Sequence, residues 1–113
     1  MEVLGFPREG AAPIDRFESQ QATVNHLARV HGAGSVVVIR LGEGGVVGRH
    51  PAVKTQLFVV VGGAGVVSGE DGVDVPIGQG QAALWRAGEV HESRTETGMI
   101  AVVIEIEDVE PAT

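Results

Sequence analysis

Gly48-Arg49-His50-Pro51-Ala52-Val53-Lys54-Thr55-Gln56-Leu57-Phe58-Val59-Val60-Val61-Gly62-Gly63 is the stretch on which the fold turns. A polar cluster with a histidine runs straight into five consecutive apolar residues and then a glycine pair. Alternate side chains of a strand point to opposite faces, so Leu57 to Val61 needs cover on both. The strand therefore belongs in the middle of the molecule, and His50 and Gln56 enter the interior with it. A second stretch, Gly80-Gln81-Ala82-Ala83-Leu84-Trp85-Arg86-Ala87-Gly88-Glu89-Val90-His91, reads as a strand, a turn and a histidine opening the next strand. Together they suggest one pocket fed by two hairpins.

Working outward, the rest of the 113-residue chain fits a single domain over residues 1–113 with one core. Apolar residues make up 43% of it, yet only 4% is aromatic and Tyr is absent, so Val, Ile, Leu and Ala must form that core. The 17 glycines are scattered between short Val and Ile runs, which reads as many tight turns. A formal charge of −7 argues against nucleic acid or an anionic membrane surface as partner. With no Cys, disulfides and thiolate metal sites are excluded, which suits a reducing compartment. The start of the chain lacks the basic and apolar runs of a signal peptide, and no stretch has the length of a membrane span. The expectation is a soluble cytoplasmic domain.

Residues 1–13 read as an irregular surface segment, with a short strand over Ile14 to Phe17. Residues 19–30 fit both a loose helical spacing and a strand alternation, and the strand is preferred because everything downstream is β. A turn at His31–Ser35 precedes a β-branched strand over Val36 to Leu41, and a second turn covers Gly42–Gly45. Further strands are expected at Val46–His50, Gln56–Val61, Gly65–Ser68, Val73–Ile77, Gln81–Trp85, Val90–Arg94 and Met99–Ile106. The acidic end, residues 107–113, is expected to fray. Eight or nine short strands at intervals of roughly 8–12 residues imply an all-β antiparallel barrel.

His91, Ser93 and Thr95 share one strand face; Gln56, Phe58 and Val60 share another. If His50 and His91 both point inward, two imidazoles and a carboxamide converge inside the barrel. Imidazole suits Zn, Fe, Ni, Cu or Mn, and a Gln oxygen is a weaker neutral ligand. The bland alternative is a histidine at a strand end, hydrogen-bonded to backbone or water. Phe58 and Ser93 are candidate pocket residues, and Trp85 is either a pocket wall or a contact to a second copy. Arg40, Arg86 and Arg94 read as solvated surface, His26 and His31 as surface or turn residues, and Glu105 as the point where the last strand leaves the core.

Two spacings carry a resemblance. Gly44, five residues, His50-Pro51-Ala52, three residues, Gln56, six residues and Gly63 match one register. Gly80, five residues, Arg86-Ala87-Gly88, two residues, His91, three residues and Thr95 match another. In both, the chain resembles a small single-domain cupin, whose motifs read Gly, five residues, His-x-His, three or four residues, Glu, six residues, Gly, and Gly, five residues, Pro-x-Gly, two residues, His, three residues, Asn. The resemblance implies a jelly-roll barrel with one pocket, and a homodimer. It also implies a metal set of His50, Gln56 and His91 for one divalent ion such as Zn, Fe, Ni or Mn. The chain departs from the family at Ala52, where a second His is missing, and at Gln56, where Glu is missing. Arg86 and Thr95 replace the Pro and Asn. An ion at this site would lack protein negative charge, and a His placed at Ala52 should strengthen its binding unless Pro51 turns that position away. Two functions stay open: a non-catalytic module binding or sensing a small molecule, and a metal-dependent enzyme of dioxygenase or isomerase type. No catalytic residue is assigned.

Overall fold

The computed structural model describes residues 1–112. Ten strands make up nearly all the regular structure: β1 (Glu2–Gly5), β2 (Ala12–Pro13), β3 (Thr23–Val24), β4 (Ala28–Leu41), β5 (Val46–Pro51), β6 (Thr55–Ser68), β7 (Val75–Gly78), β8 (Gln81–Trp85), β9 (Val90–Arg94) and β10 (Met99–Pro111). A single 3-10 turn at Arg8–Gly10 is the helical content among the described residues, and no helix there is long and apolar enough to cross a membrane. All the pairings are antiparallel. The fold is the antiparallel barrel that the strand spacing implies, with the jelly-roll form that the resemblance implies.

The organising element is β6. Its first half pairs with β8 on one side and β10 on the other, within a sheet ordered β1-β8-β6-β10-β4. Its second half bends over into the facing sheet, where it pairs with β7 and β9, and β9 in turn pairs with β5. The glycine pair that looked like the end of a strand is the corner of one. Gly63 has φ +74, and a Cβ there would collide with the carbonyl of Gly98. Without a side chain the two backbones approach closely enough for β6 to turn the corner unbroken.

The inner face of the barrel holds Phe58, Val60, Val67, Trp85, Met99 and Val103, all buried. The outer face of the first sheet has its own small core of Leu57, Ala82, Leu84 and Val109, flanked by Leu4 and Leu27. So the chain itself supplies part of the cover that Leu57 to Val61 needs on its second face. Val109 can do this because β10 does not stop at Ile106. The segment expected to fray continues as strand to Pro111, paired with β4 as far as Ala28, and Arg86 Nη1 donates to the Val109 carbonyl at 2.6 Å. Thr113 lies outside the described residues.

Other expectations change too. Residues 1–13 are not irregular throughout, since β1 pairs with β8 and β2 with β3. Ile14 to Phe17 is not a strand, and Phe17 is 85% exposed. Within 19–30 no helix forms; β3 and the start of β4 take that place. His31 to Ser35 is not a turn: β4 runs through it. Gly32, at φ +93, lies in a bulge of β4 itself, where Gly32 and Ala33 stand against the single Glu107 of β10.

Candidate functional site

Two backbone hydrogen bonds bring the histidine-bearing segments together. Ala52 N donates to the Glu89 carbonyl at 2.9 Å, and Gly88 N donates to the Ala52 carbonyl at 2.7 Å. They join the bend after β5 to the turn between β8 and β9, which Glu89 tightens by accepting from Arg86 N at 3.0 Å. His50 and His91 are then direct partners across the β5–β9 pair. A bulge between Val47 and His50 sets the direction of His50. Its extra residue puts Val47 and His50 on one face, where a regular strand would turn His50 away.

The two imidazole centroids lie 4.4 Å apart, and the His91 ring lies 4.5 Å from that of Trp85, which meets Phe58 edge-on at 5.6 Å. His50 Nδ1 is 2.7 Å from the carbonyl of Gly48, within the bulge, and His91 Nδ1 is 3.2 Å from that of Glu89. A carbonyl oxygen only accepts, so in each neutral ring Nδ1 carries the proton and Nε2 keeps the free lone pair. Burial holds the His91 imidazole below its ordinary pKa, although the bond to the Glu89 carbonyl pulls the other way. His91 is thus a neutral ligand type near pH 7.

His50, Gln56, Phe58, Trp85, His91 and Ser93 all line one cavity of about 60 Å3, with Ile39, Val47 and Glu105. This is room for an ion and a few waters. Trp85 is a wall of that cavity at 1% exposure, so it is not a contact to a second copy. Glu105 does not mark the departure of β10 from the core. It lies opposite Gln56, which lies opposite Trp85, in one row across three strands. The sequence signal that could have found it is a lone carboxylate in an apolar strand at an inward position of the alternation. Ala52 is buried at 3% exposure between the two turns and does not line the cavity. Arg86 and Arg94 are engaged by their own chain, Arg86 by Val109 and Glu2 and Arg94 by Asp74 and Glu92. Thr95 is buried and structural, donating to the Ala64 carbonyl at 2.6 Å and accepting from Gly98 N at 2.9 Å.

The donor set fits a divalent ion. Two imidazoles offer Nε2, and the Gln56, Ser93 and Glu105 side chains make no hydrogen bond among the described residues. The indole N–H of Trp85 is buried without an acceptor among the described residues. Elsewhere, His31, Asp108 and Glu110 bring ligand atoms within 4.8 Å of one another, but all three are exposed on the surface of the β4–β10 pair. A larger concavity of about 570 Å3, along Gly65, Arg94 and Thr95, contains neither barrel histidine.

The chain resembles several solved structures. A protein from Thermotoga maritima described as a predicted oxalate decarboxylase is 25% identical, with 65% of each chain covered and a TM-score of 0.59. A cupin superfamily protein from Desulfitobacterium hafniense is 14% identical, with 96% of this chain and 100% of that one covered and a TM-score of 0.61. An RmlC-like cupin from Shewanella frigidimarina is 22% identical over 80% of this chain and 71% of its own, with a TM-score of 0.59. No curated protein matches. The family described as Cupin domain, Cupin_2, matches residues 35–107, which span β6 and both histidine-bearing hairpins. The chain belongs to the cupin domain family.

Proposed function

We propose that the barrel cavity holds one divalent ion, such as Zn, Fe, Ni or Mn, on His50 and His91 with Gln56 as a neutral donor, and acts on a small oxygen-bearing molecule beside it. The observation that carries this reading is the pair of imidazoles 4.4 Å apart, each with Nδ1 tied to a backbone carbonyl and Nε2 left free. Such backbone tethers fix the tautomer and orient a ligating ring. A bound ion supplies Lewis-acid or redox chemistry at such a site. The chain's own residues do the rest: Phe58 and Trp85 exclude water from one wall, and the Ser93 hydroxyl offers a hydrogen bond to an oxygen. A cavity of about 60 Å3 admits only a small molecule. Likeness to a protein described as a predicted oxalate decarboxylase supports a carboxylated one.

Elemental analysis of protein purified without a histidine tag, followed by calorimetric titration with Zn2+, Ni2+ and Mn2+, tests the reading. Single His50→Ala and His91→Ala variants should each lose at least about tenfold in affinity, or roughly 1.4 kcal/mol. Unchanged binding in both would overturn it.

The second reading, a non-catalytic module that binds or senses a small molecule, is favoured by the neutral Gln56 and by Ala52 lying off the cavity. Ligand-dependent quenching of the single Trp, without turnover of the ligand, would select it. As partners we propose a second copy of the chain and a small molecule, not nucleic acid or membrane, given the charge of −7. A cytoplasmic setting agrees with the absence of Cys.

A further inference from the structure

We infer that Glu105 is the anionic ligand of the cavity's metal ion, reaching in from β10 beside the neutral Gln56 of β6. The inference rests on the metal-site reading above and adds to it the charge that the motif residues lack. Three half-buried carboxylates exist among the described residues: Glu89, Glu92 and Glu105. Glu89 meets the N-terminal ammonium and the Arg86 amide, and Glu92 meets Arg94. Glu105 makes neither a hydrogen bond nor an ion pair among those residues, and no Arg or Lys lines the cavity it faces. A half-buried carboxylate without a partner costs desolvation that a nearby cation would offset.

The register supplies the geometry. Glu105 and Gln56 are direct partners in the β10–β6 pair, so their side chains stand side by side on the inner face. The other lining residues are Ile39, Val47, Phe58, Trp85, Ser93 and the two histidines, and none carries a negative charge. A divalent ion on two imidazoles and a carboxamide alone would keep its whole charge without compensation from the protein. Glu105 is the one lining group that can compensate it. As it stands, its carboxylate is not gathered into one cluster with both imidazoles. Ligation therefore requires rotation about its side-chain torsions, which nothing pins by a hydrogen bond.

The test uses tag-free protein stripped with a chelator and titrated calorimetrically with Mn2+, Ni2+ and Zn2+, with Co2+ as a spectroscopic probe. The variants are Glu105→Gln, which keeps shape and removes charge, and His91→Ala. Glu105→Gln should lower affinity at least about tenfold and shift the visible Co2+ bands, while its melting temperature without metal holds or rises. Wild-type affinity in Glu105→Gln overturns the inference. So do weakened binding with unchanged Co2+ bands, which means action at a distance, and a large loss of metal-free stability, which means a structural partner. If wild type takes up no ion, or His91→Ala binds as wild type does, the metal-site reading falls and Glu105 with it. If His91→Ala loses the ion and Glu105→Gln keeps it, the Glu105 assignment alone falls.

Discussion

His91 is buried against Trp85 and His50, and that burial lowers its pKa. The folded chain therefore takes up this proton less readily than the unfolded chain does. Stability from this group is fully present above the ordinary imidazole value of about 6.5, and it declines as the pH falls from there towards the lowered value. Urea melts across that window should show wild type losing more stability on acidification than His91→Gln. Parallel curves would remove the effect. A bound ion requires the same neutral ring, so it should be released over the same range. Ala52 makes the opposite point. Its backbone joins the two turns and its side chain is 3% exposed, away from the cavity lining. Ala52→His should therefore overpack the junction and cost about 1–3 kcal/mol without raising metal affinity. A tighter complex in calorimetry would contradict this.

Among the elements, β6 carries the most consequence, because one unbroken strand serves both sheets and holds Gln56 and Phe58 against the cavity. Its corner depends on Gly63 at φ +74, where any Cβ meets the Gly98 carbonyl. Neither the left-handed backbone nor the close approach suits alanine. Gly63→Ala should cost at least about 2 kcal/mol, read as a lower urea midpoint with an unchanged slope. A wild-type midpoint would mean that the corner is held by something else. The bulge in β5 is the counterpart on the facing sheet. It points His50 inward and supplies the Gly48 carbonyl that fixes its tautomer.

At the scale of the molecule, the first sheet ends in β4, fourteen residues long and unpaired along its outer edge among the described residues. Val36, at 66% exposed, and Val38 stand beside it on the outer face with Ile100 of β10. An open edge next to an apolar patch is a hazard that soluble proteins usually cover, and antiparallel pairing of β4 with its copy is compatible with two-fold symmetry. Sedimentation at tens of micromolar should then show a dimer, and Val36→Glu should dissociate it while leaving the monomer folded. A wild-type monomer would refute the proposal.

The sequence by itself determined those elements whose signal is local. Val36–Leu41 is a β-branched run, Val90–Arg94 alternates, Gln81–Trp85 is a short apolar run opened by Gly80, and each lies in a strand. The same alternation put Gln56 with Phe58, and His91 with Ser93, on shared faces, and all four line one cavity. Tertiary structure decided what glycine meant at each place. The same residue type closes the turn at Gly42–Gly45, bends β6 at Gly63 and lets β4 continue through Gly32. Only the opposing strand distinguishes these cases. It also decided which way single side chains face. A one-residue bulge turns His50 inward, and the β10–β6 register sets Glu105 beside Gln56. A period of two says which residues share a face, but which face is the interior depends on pairing with strands far away in the chain.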